Sequence, residues 1–404
     1  MRTINNDSLK FIVISFSLAL TFILISESVF YDKALHQIFN IGHQLPSFLD
    51  FRCYQAVIPT IEAGFNPYIN NPFDQYNRPF NLPYIWIPIV SFMNLDNEII
   101  FNLVIFLFIF FYCYAVLKVI NLLNCNYTIL ISFFLIFSSS SMLLIERGNT
   151  DMLIFYLILY AALSTNFLKS SGFIFLASIL KVYPIFVFFI NFKSKKNFLL
   201  GAMFSVVAFV TFFQKLKFFY SGTSSGNATS FTFGFSAISK GILKSLDRLN
   251  INLPEHYLFN PLYIHITLII IVLLFILAVF LINKKNFFKI NFTDIRNRLF
   301  LAGSSIYCGC FVFFSSYDYR LIFLILTIPY FFDRLNKFYI VYLIFVFLSL
   351  NSLILFSVAK SPIEFLYIGA IIHFFKLSIF LLLIYELTKF LDYFYWKTLK
   401  ESSK

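Results

Sequence analysis

Charge is what this sequence has least of. Asp, Glu, Lys and Arg together make up 12% of its 404 residues, about half the share found in soluble globular chains. Disordered chains need high net charge and low hydrophobicity, so that class is excluded. Cysteine is sparse as well. Cys53, Cys113, Cys125, Cys308 and Cys310 show no CxxC and no ligand spacing, which argues against a disulfide framework or a zinc site. Most of them sit inside apolar runs, where Cys behaves as a small hydrophobe. The histidines, at 36, 43, 256, 265 and 373, are scattered and suggest no metal centre. No His-x-x-x-His, no Gly-rich phosphate loop and no Ser-centred elbow occurs, so neither a metal nor a cofactor is expected.

What is present is apolar. Hydrophobic residues reach 60%, with 60 Phe and 24 Tyr, more than a soluble core of this size can bury. The excess must face lipid. The chain therefore reads as an all-α polytopic membrane protein, one integral membrane domain over 1–404. Its formal charge of +12 is then explained by cytoplasmic loops that orient the spans, and nucleic acid is not expected as a partner.

The first apolar run, Phe11 to about Phe30, follows Arg2 and Lys10 and lacks an A-x-A site, so it reads as an uncleaved helix with a cytoplasmic N-terminus. A Pro-, Asn- and Tyr-rich stretch follows, giving a first outer loop over 31–97 with juxtamembrane helices. Apolar runs come next at 98–120, 126–145 and 151–168. The run Gly172–Asn191 is interrupted by Lys181-Val-Tyr-Pro184 and flanked by Lys169 on one side and Lys193, Lys195 and Lys196 on the other. A single crossing would leave one basic cluster outside, whereas a re-entrant hairpin keeps both inside. Broken backbone at membrane depth must line a cavity, so Lys181 and Tyr183 are expected to face one. Further runs lie at 198–214, 258–282, 299–316, 318–332, 338–357 and 364–388, with a second outer loop at 215–257. The basic stretch 283–298 and the basic tail read as cytoplasmic. About ten crossings plus the hairpin satisfy these constraints, in a cytoplasmic (inner) membrane with both termini inside.

Ionisable residues at membrane edges are expensive, and so informative. Asp50-Phe-Arg52-Cys-Tyr54 precedes Gly64-Phe-Asn66-Pro-Tyr68; Pro46 and Asp50 read as a helix start and Gly64 as its stop, with Pro59 between. Glu146-Arg147-Gly-Asn149-Thr-Asp151 lies between apolar runs; capping accounts for Asn149 and Asp151 but not for Arg147. Lys181 and Tyr183 mark the broken hairpin. Tyr317-Asp-Tyr-Arg320 offers a cation suited to phosphate, with Asp318 as its nearest partner. Arg78, in Asn77-Arg78-Pro79, is one more outer cation. A single persuasive acid amid cations suits the transfer of a sugar from a lipid phosphate: a base takes the hydroxyl proton, and cations stabilise the departing phosphate. A glycosidase would want two flanking carboxylates.

At these residues the chain resembles polyprenyl-phosphate-sugar-dependent glycosyltransferases of the GT-C superfamily, and more narrowly glycosyltransferase family 87, the α-mannosyltransferase-like group. The resemblance runs over about 1–330. It is carried by Asp50-Phe-x-x-Tyr54, Gly64-x-Asn-Pro-Tyr68, Gly148-Asn149-x-Asp151 and Lys181-x-Tyr-Pro184, in that order. The family's Tyr-Pro-Pro-like segment reads Tyr76-Asn-Arg-Pro79 here. The resemblance implies a GT-C-like fold and Asp50 as general base. It also implies a polyprenyl-phosphate hexose donor, mannose by analogy, and a glycolipid or glycan acceptor at the outer face. Arg52, Tyr54, Asn66, Tyr68, Arg78, Arg147, Asn149, Asp151, Lys181, Tyr183 and Arg320 are the residues expected to bind substrate. The alternatives are a flippase or transporter of lipid-linked sugar, and a polysaccharide polymerase.

Overall fold

The computed structural model describes residues 6–42, 45–191, 291–313, 316–359 and 361–402, with further positions at 200–201, 203–204, 206–207, 232–235, 237–238 and 270. About 75% is helical and there is almost no sheet, so the all-α expectation holds. The runs expected at 198–214 and 258–282, the second outer loop at 215–257 and the basic stretch up to 290 lie outside the described residues, apart from those positions. The chain divides into two compact units, Met1–Ile185 with Met203–Ser225, and Phe186–Ala202 with Gly226–Lys404.

The first unit is organised around helix α6 (Glu98–Asn121), against which α1 (Asn6–Ile25), α7 (Thr128–Ile136) and α9 (Asp151–Leu163) pack. The Asn97 side chain accepts the Ile99 and Ile100 N–H groups at the start of α6. Glu98 in its first turn and Lys118 in its last complement the helix dipole. At 1.5 Å per residue α6 is about 36 Å long, enough to cross a hydrocarbon core. Phe101, Ile105, Ile109, Tyr112, Val116 and Ile120 recur at three- and four-residue spacing and are all fully buried. Phe16 of α1 meets Phe106 edge-on at 5.2 Å.

The run expected at 126–145 is a pair of helices, α7 and α8 (Ser139–Glu146), bent by 58°. Ser138 makes the break: its hydroxyl donates to the Leu135 carbonyl at 2.8 Å and accepts the Ser141 N–H, competing with the backbone ladder. Helix α10 (Phe167–Leu180) follows α9 and stops at Lys181, which is fully extended. Tyr183 precedes a proline and so disfavours the α conformation, and a 3-10 helix takes over at Tyr183–Asn191. The break thus falls where the Lys181–Pro184 interruption put it.

Between α1 and α6 the chain forms α2 (Val29–Phe39), α3 (Leu49–Gln55), α4 (Val57–Glu62) and α5 (Trp86–Met93). The helix expected from Asp50 to Gly64 is split at Ala56. Pro59 has no N–H for the Gln55 carbonyl four residues back, and its ring crowds that carbonyl. Tyr54 and Val57 are buried, whereas Ile61 is exposed.

In the second unit, the helix Ile295–Phe313 packs on the 3-10 helix Asp318–Thr327 and on the long helix Pro362–Ser402. A two-residue antiparallel ladder pairs Thr232 with Tyr317 and Phe233 with Ser316. The run at 318–332 is a 3-10 helix followed by the short helix Ile328–Phe332, and the run at 338–357 breaks at Asn351.

Among the described residues, three helices are long and apolar enough to cross a membrane: Asp7–Ile25, Glu98–Asn121 and Glu364–Phe390. They become four if the bent α7–α8 pair is one span.

Candidate active site

Asp50 lies in the first turn of α3, and backbone bonds fasten that turn to the segment after α8. The Asp50 N–H donates to the Arg147 carbonyl at 3.0 Å, and the Phe48 N–H to the Glu146 carbonyl at 3.1 Å. So close an approach needs glycine at 148. Its φ is +60°, and a Cβ there would sit 2.7 Å from Phe48 Cβ and 3.0 Å from Ile105 Cδ1. Phe48, buried, is itself held at φ +65°, a conformation costly to a bulky side chain.

The Asp50 carboxylate, 29% exposed, is gripped from two sides. Asn149 Nδ2 donates to Oδ2 at 3.0 Å. Arg78 Nη1 lies 3.4 Å from Oδ1. The Asn149 amide is itself oriented, because its Oδ1 accepts from Lys181 Nζ at 2.7 Å and from the Asp151 N–H at 3.0 Å. That leaves its NH2 pointing at Asp50. Lys181 Nζ also pairs with Asp151 Oδ1, and both residues are buried. The end of α10, and with it Lys181, is pinned by Trp86, whose indole N–H donates to the Leu180 carbonyl at 3.0 Å. The Tyr54 ring stands edge-on to Trp86 at 4.8 Å, and its hydroxyl meets Thr150 Oγ1 at 3.2 Å.

Arg78 is clamped by Asp74, which nothing in the sequence alone marks as a site residue. Its Nε and Nη2 donate to the two oxygens of Asp74 at 3.0 and 2.9 Å, and Nη2 also donates to the Leu49 carbonyl at 2.8 Å. The backbone N–H groups of Tyr76 and Arg78 donate to Asp74 Oδ2 at 3.1 and 3.0 Å. Burial alone would raise the Asp74 carboxyl; the Arg78 guanidinium and these two amides outweigh it and hold the group below the usual carboxylate range. The i, i+4 spacing of Asp74 and Arg78 was the one available signal of their pairing. Pairing Asp74 with Arg78 and Asp151 with Lys181 leaves Asp50 as the surplus carboxylate of the network.

Asp50, Tyr54, Arg78, Asn149, Asp151 and Lys181 are therefore brought together within the first unit. Other expected site residues have different commitments. Arg52 bonds Glu98 at 2.8 Å, the Ser47 carbonyl and Gln55, and lies over the Phe101 ring. Arg147 pairs with the buried Glu146 at 3.0 Å. Asn66 accepts the Tyr68 N–H, and the Tyr68 hydroxyl donates to the Leu82 carbonyl, so both shape the chain between α4 and α5. Tyr183 is buried. Arg320 belongs to the second unit, where Nη1 donates to Ser316 Oγ at 3.0 Å.

The expected pairing of Arg320 with Asp318 is not what the structure contains. Asp318 takes Lys376, at 2.7 and 2.8 Å, and the Ser352 hydroxyl at 2.9 Å. Lys376 comes from the long helix Pro362–Ser402, so the buried acid finds a cation far along the chain. The same helix carries the buried Glu386, which accepts from the Tyr330 and Tyr339 hydroxyls and pairs with Lys389.

Among the described residues no group of three or more His, Cys, Asp or Glu could hold a metal ion. No protein-family model matches the chain, and no curated protein matches it.

Proposed function

We propose that this chain is a membrane hexosyltransferase of GT-C type, using a polyprenyl-phosphate-linked sugar, mannose being the analogy's choice, at the outer face of a cytoplasmic membrane. The observation that carries the reading is the convergence of the segments at 50–54, 74–78, 149–151 and 181 on one surplus, partly exposed carboxylate. Asp50 takes the proton of the acceptor hydroxyl as that oxygen bonds to the sugar's anomeric carbon. The bond from that carbon to the phosphate oxygen breaks, and the lipid phosphate leaves with the electron pair. Charge grows on the phosphate, so a fixed cation beside Asp50 acts on the transition state more than on binding. Arg78, about a third exposed, suits that task, whereas Lys181 works through Asn149. About ten crossings and a re-entrant segment at 172–191 belong to this reading.

The test is to give the purified full-length chain a radiolabelled polyprenyl-phosphate mannose and a membrane glycolipid extract, and to follow label into the extract. Other polyprenyl-phosphate hexoses serve as parallel donors. No transfer from any of them rejects the proposal. A carrier of lipid-linked sugar is the second reading. It draws on the buried Asp318–Lys376 pair, whose lysine lies in a helix long enough to cross a membrane, and it predicts movement of labelled lipid between leaflets without loss of the sugar.

A further inference from the structure

Two carboxylates compete for one guanidinium in the first unit, and they do so unequally. Asp74 holds Arg78 by a two-point fork at 2.9 and 3.0 Å, whereas Asp50 has a single contact at 3.4 Å, beyond the usual N–H···O distance. Asp74 wins because two backbone N–H groups hold its carboxylate in place beforehand. The bond from Nη2 to the Leu49 carbonyl adds a further contact to the guanidinium that Asp74 holds.

We propose that Asp74 is a positioning residue: by neutralising Arg78 and fixing its orientation, it keeps Asp50 the surplus carboxylate of the site while leaving Nη1 facing it. The proposal rests on the reading of Asp50 as the base, and its test does not depend on that reading. Without Asp74, the fork would turn to the nearest remaining carboxylate. Asp50 would be locked in a strong ion pair, and a base held that way accepts a proton poorly.

The other groups around Asp50 define the background. Asn149 faces it from the turn after α8, with Lys181 and Asp151 behind that amide. Cys53 and Tyr54 lie on α3 itself, and the Arg147–Glu146 pair flanks the turn. Helix α5 contributes no titratable side chain, and Glu62 stands at the far end of α4.

Opposite signs follow for two substitutions. Asp74→Asn keeps an oxygen for the two amides but removes the charge, so the Asp50 carboxyl should become more acidic. Arg78→Gln leaves Asp74 uncompensated beside Asp50, which should become less acidic. The double variant should lie between them.

The experiment is an infrared difference titration of the full-length chain in detergent, following the protonated-carboxyl band that Asp50→Asn removes. Asp74→Asn is expected to lower the midpoint by about one pH unit or more, and Arg78→Gln to raise it by a similar amount. A midpoint that stays put or rises in Asp74→Asn overturns the proposal, as does one that stays put or falls in Arg78→Gln. If Asp74→Asn does not fold, Arg78→Gln alone decides by the same rule. No substrate is needed, so a wild-type chain that transfers no sugar rejects the function while the titration still judges Asp74. Where transfer is seen, the acid limb of the pH–rate profile should move in the same directions, which a purely structural role for Asp74 would not produce.

Discussion

Replacing Lys181 with Met tests the inner half of the site. Lys181 is 7% exposed and its partner Asp151 is fully buried, so the substitution leaves a carboxylate in the interior without its cation. Removing one member of a buried pair costs about 3–5 kcal/mol, most of it the penalty on the charge left behind. The Asn149 Oδ1 loses its 2.7 Å donor in the same step, so that oxygen keeps only the Asp151 N–H bond and the amide is held less firmly toward Asp50. Stability should therefore fall by about 3–5 kcal/mol, measured by denaturant unfolding in mixed micelles. Adding Asp151→Asn removes the stranded charge and should recover most of that loss. Turnover per folded molecule should not recover, because Asn149 still lacks its Lys181 donor. It should stay down at least about tenfold, the equivalent of roughly 1.4 kcal/mol. If the single variant is as stable as wild type, or the double variant regains full turnover, the Lys181–Asn149–Asp50 relay is wrong.

Three more expectations follow from single contacts. Gly148→Ala forces a Cβ to within 2.7 Å of Phe48 Cβ at a positive φ and should cost about 2 kcal/mol or more; unchanged unfolding would show that the α3 junction is not tight. Asp74 binds its proton less readily folded than unfolded, so its contribution is complete above the ordinary carboxylate value near about 3.9 and is lost as pH falls through the lowered one. Pepsin cleavage within 67–82 should rise over that acid range in wild type, and Asp74→Asn should remove that pH dependence; identical profiles would contradict it. Lys376→Met should destabilise the second unit by about 3–5 kcal/mol and Asp318→Asn in the same chain should restore most of it, with no restoration meaning that the pair is not the relevant contact.

How much of this the sequence discloses depends on what each residue costs in its setting. The helix Glu98–Asn121 was legible because nothing competes with a long apolar run, and the run at 11–30 was legible as a helix, although the structure ends it at Ile25 and starts a second helix at Val29. The run at 126–145 hid its bend because Ser138–Ser141 look innocuous until a hydroxyl takes a backbone partner. Asp50, Arg78 and Lys181 stood out because charge is expensive beside apolar runs, whereas Asn149, explained by capping, was marked by the resemblance alone. Asp74 did not stand out, since one acid in a polar loop is ordinary and only the fold reveals that it commands Arg78. Sequence proximity points Asp318 to Arg320, whereas the folded chain brings Lys376 from 58 residues away. Lys376 and Glu386 lay inside the apolar run at 364–388, where the cost of charge in lipid could have flagged both.

The central claim is that Asp50 is the base for the acceptor hydroxyl, and the measurement closest to it compares Asp50→Asn with wild type in sugar transfer and in donor binding. Asparagine keeps the shape of the side chain and the partners at Asn149 and Arg78 can adjust to it, but it cannot take a proton. Transfer should fall by about 10²–10⁴-fold, the worth of a positioned base, while binding of the polyprenyl-phosphate sugar stays near the wild-type level. Transfer within about threefold of wild type, against that expected loss, would remove Asp50 from the mechanism.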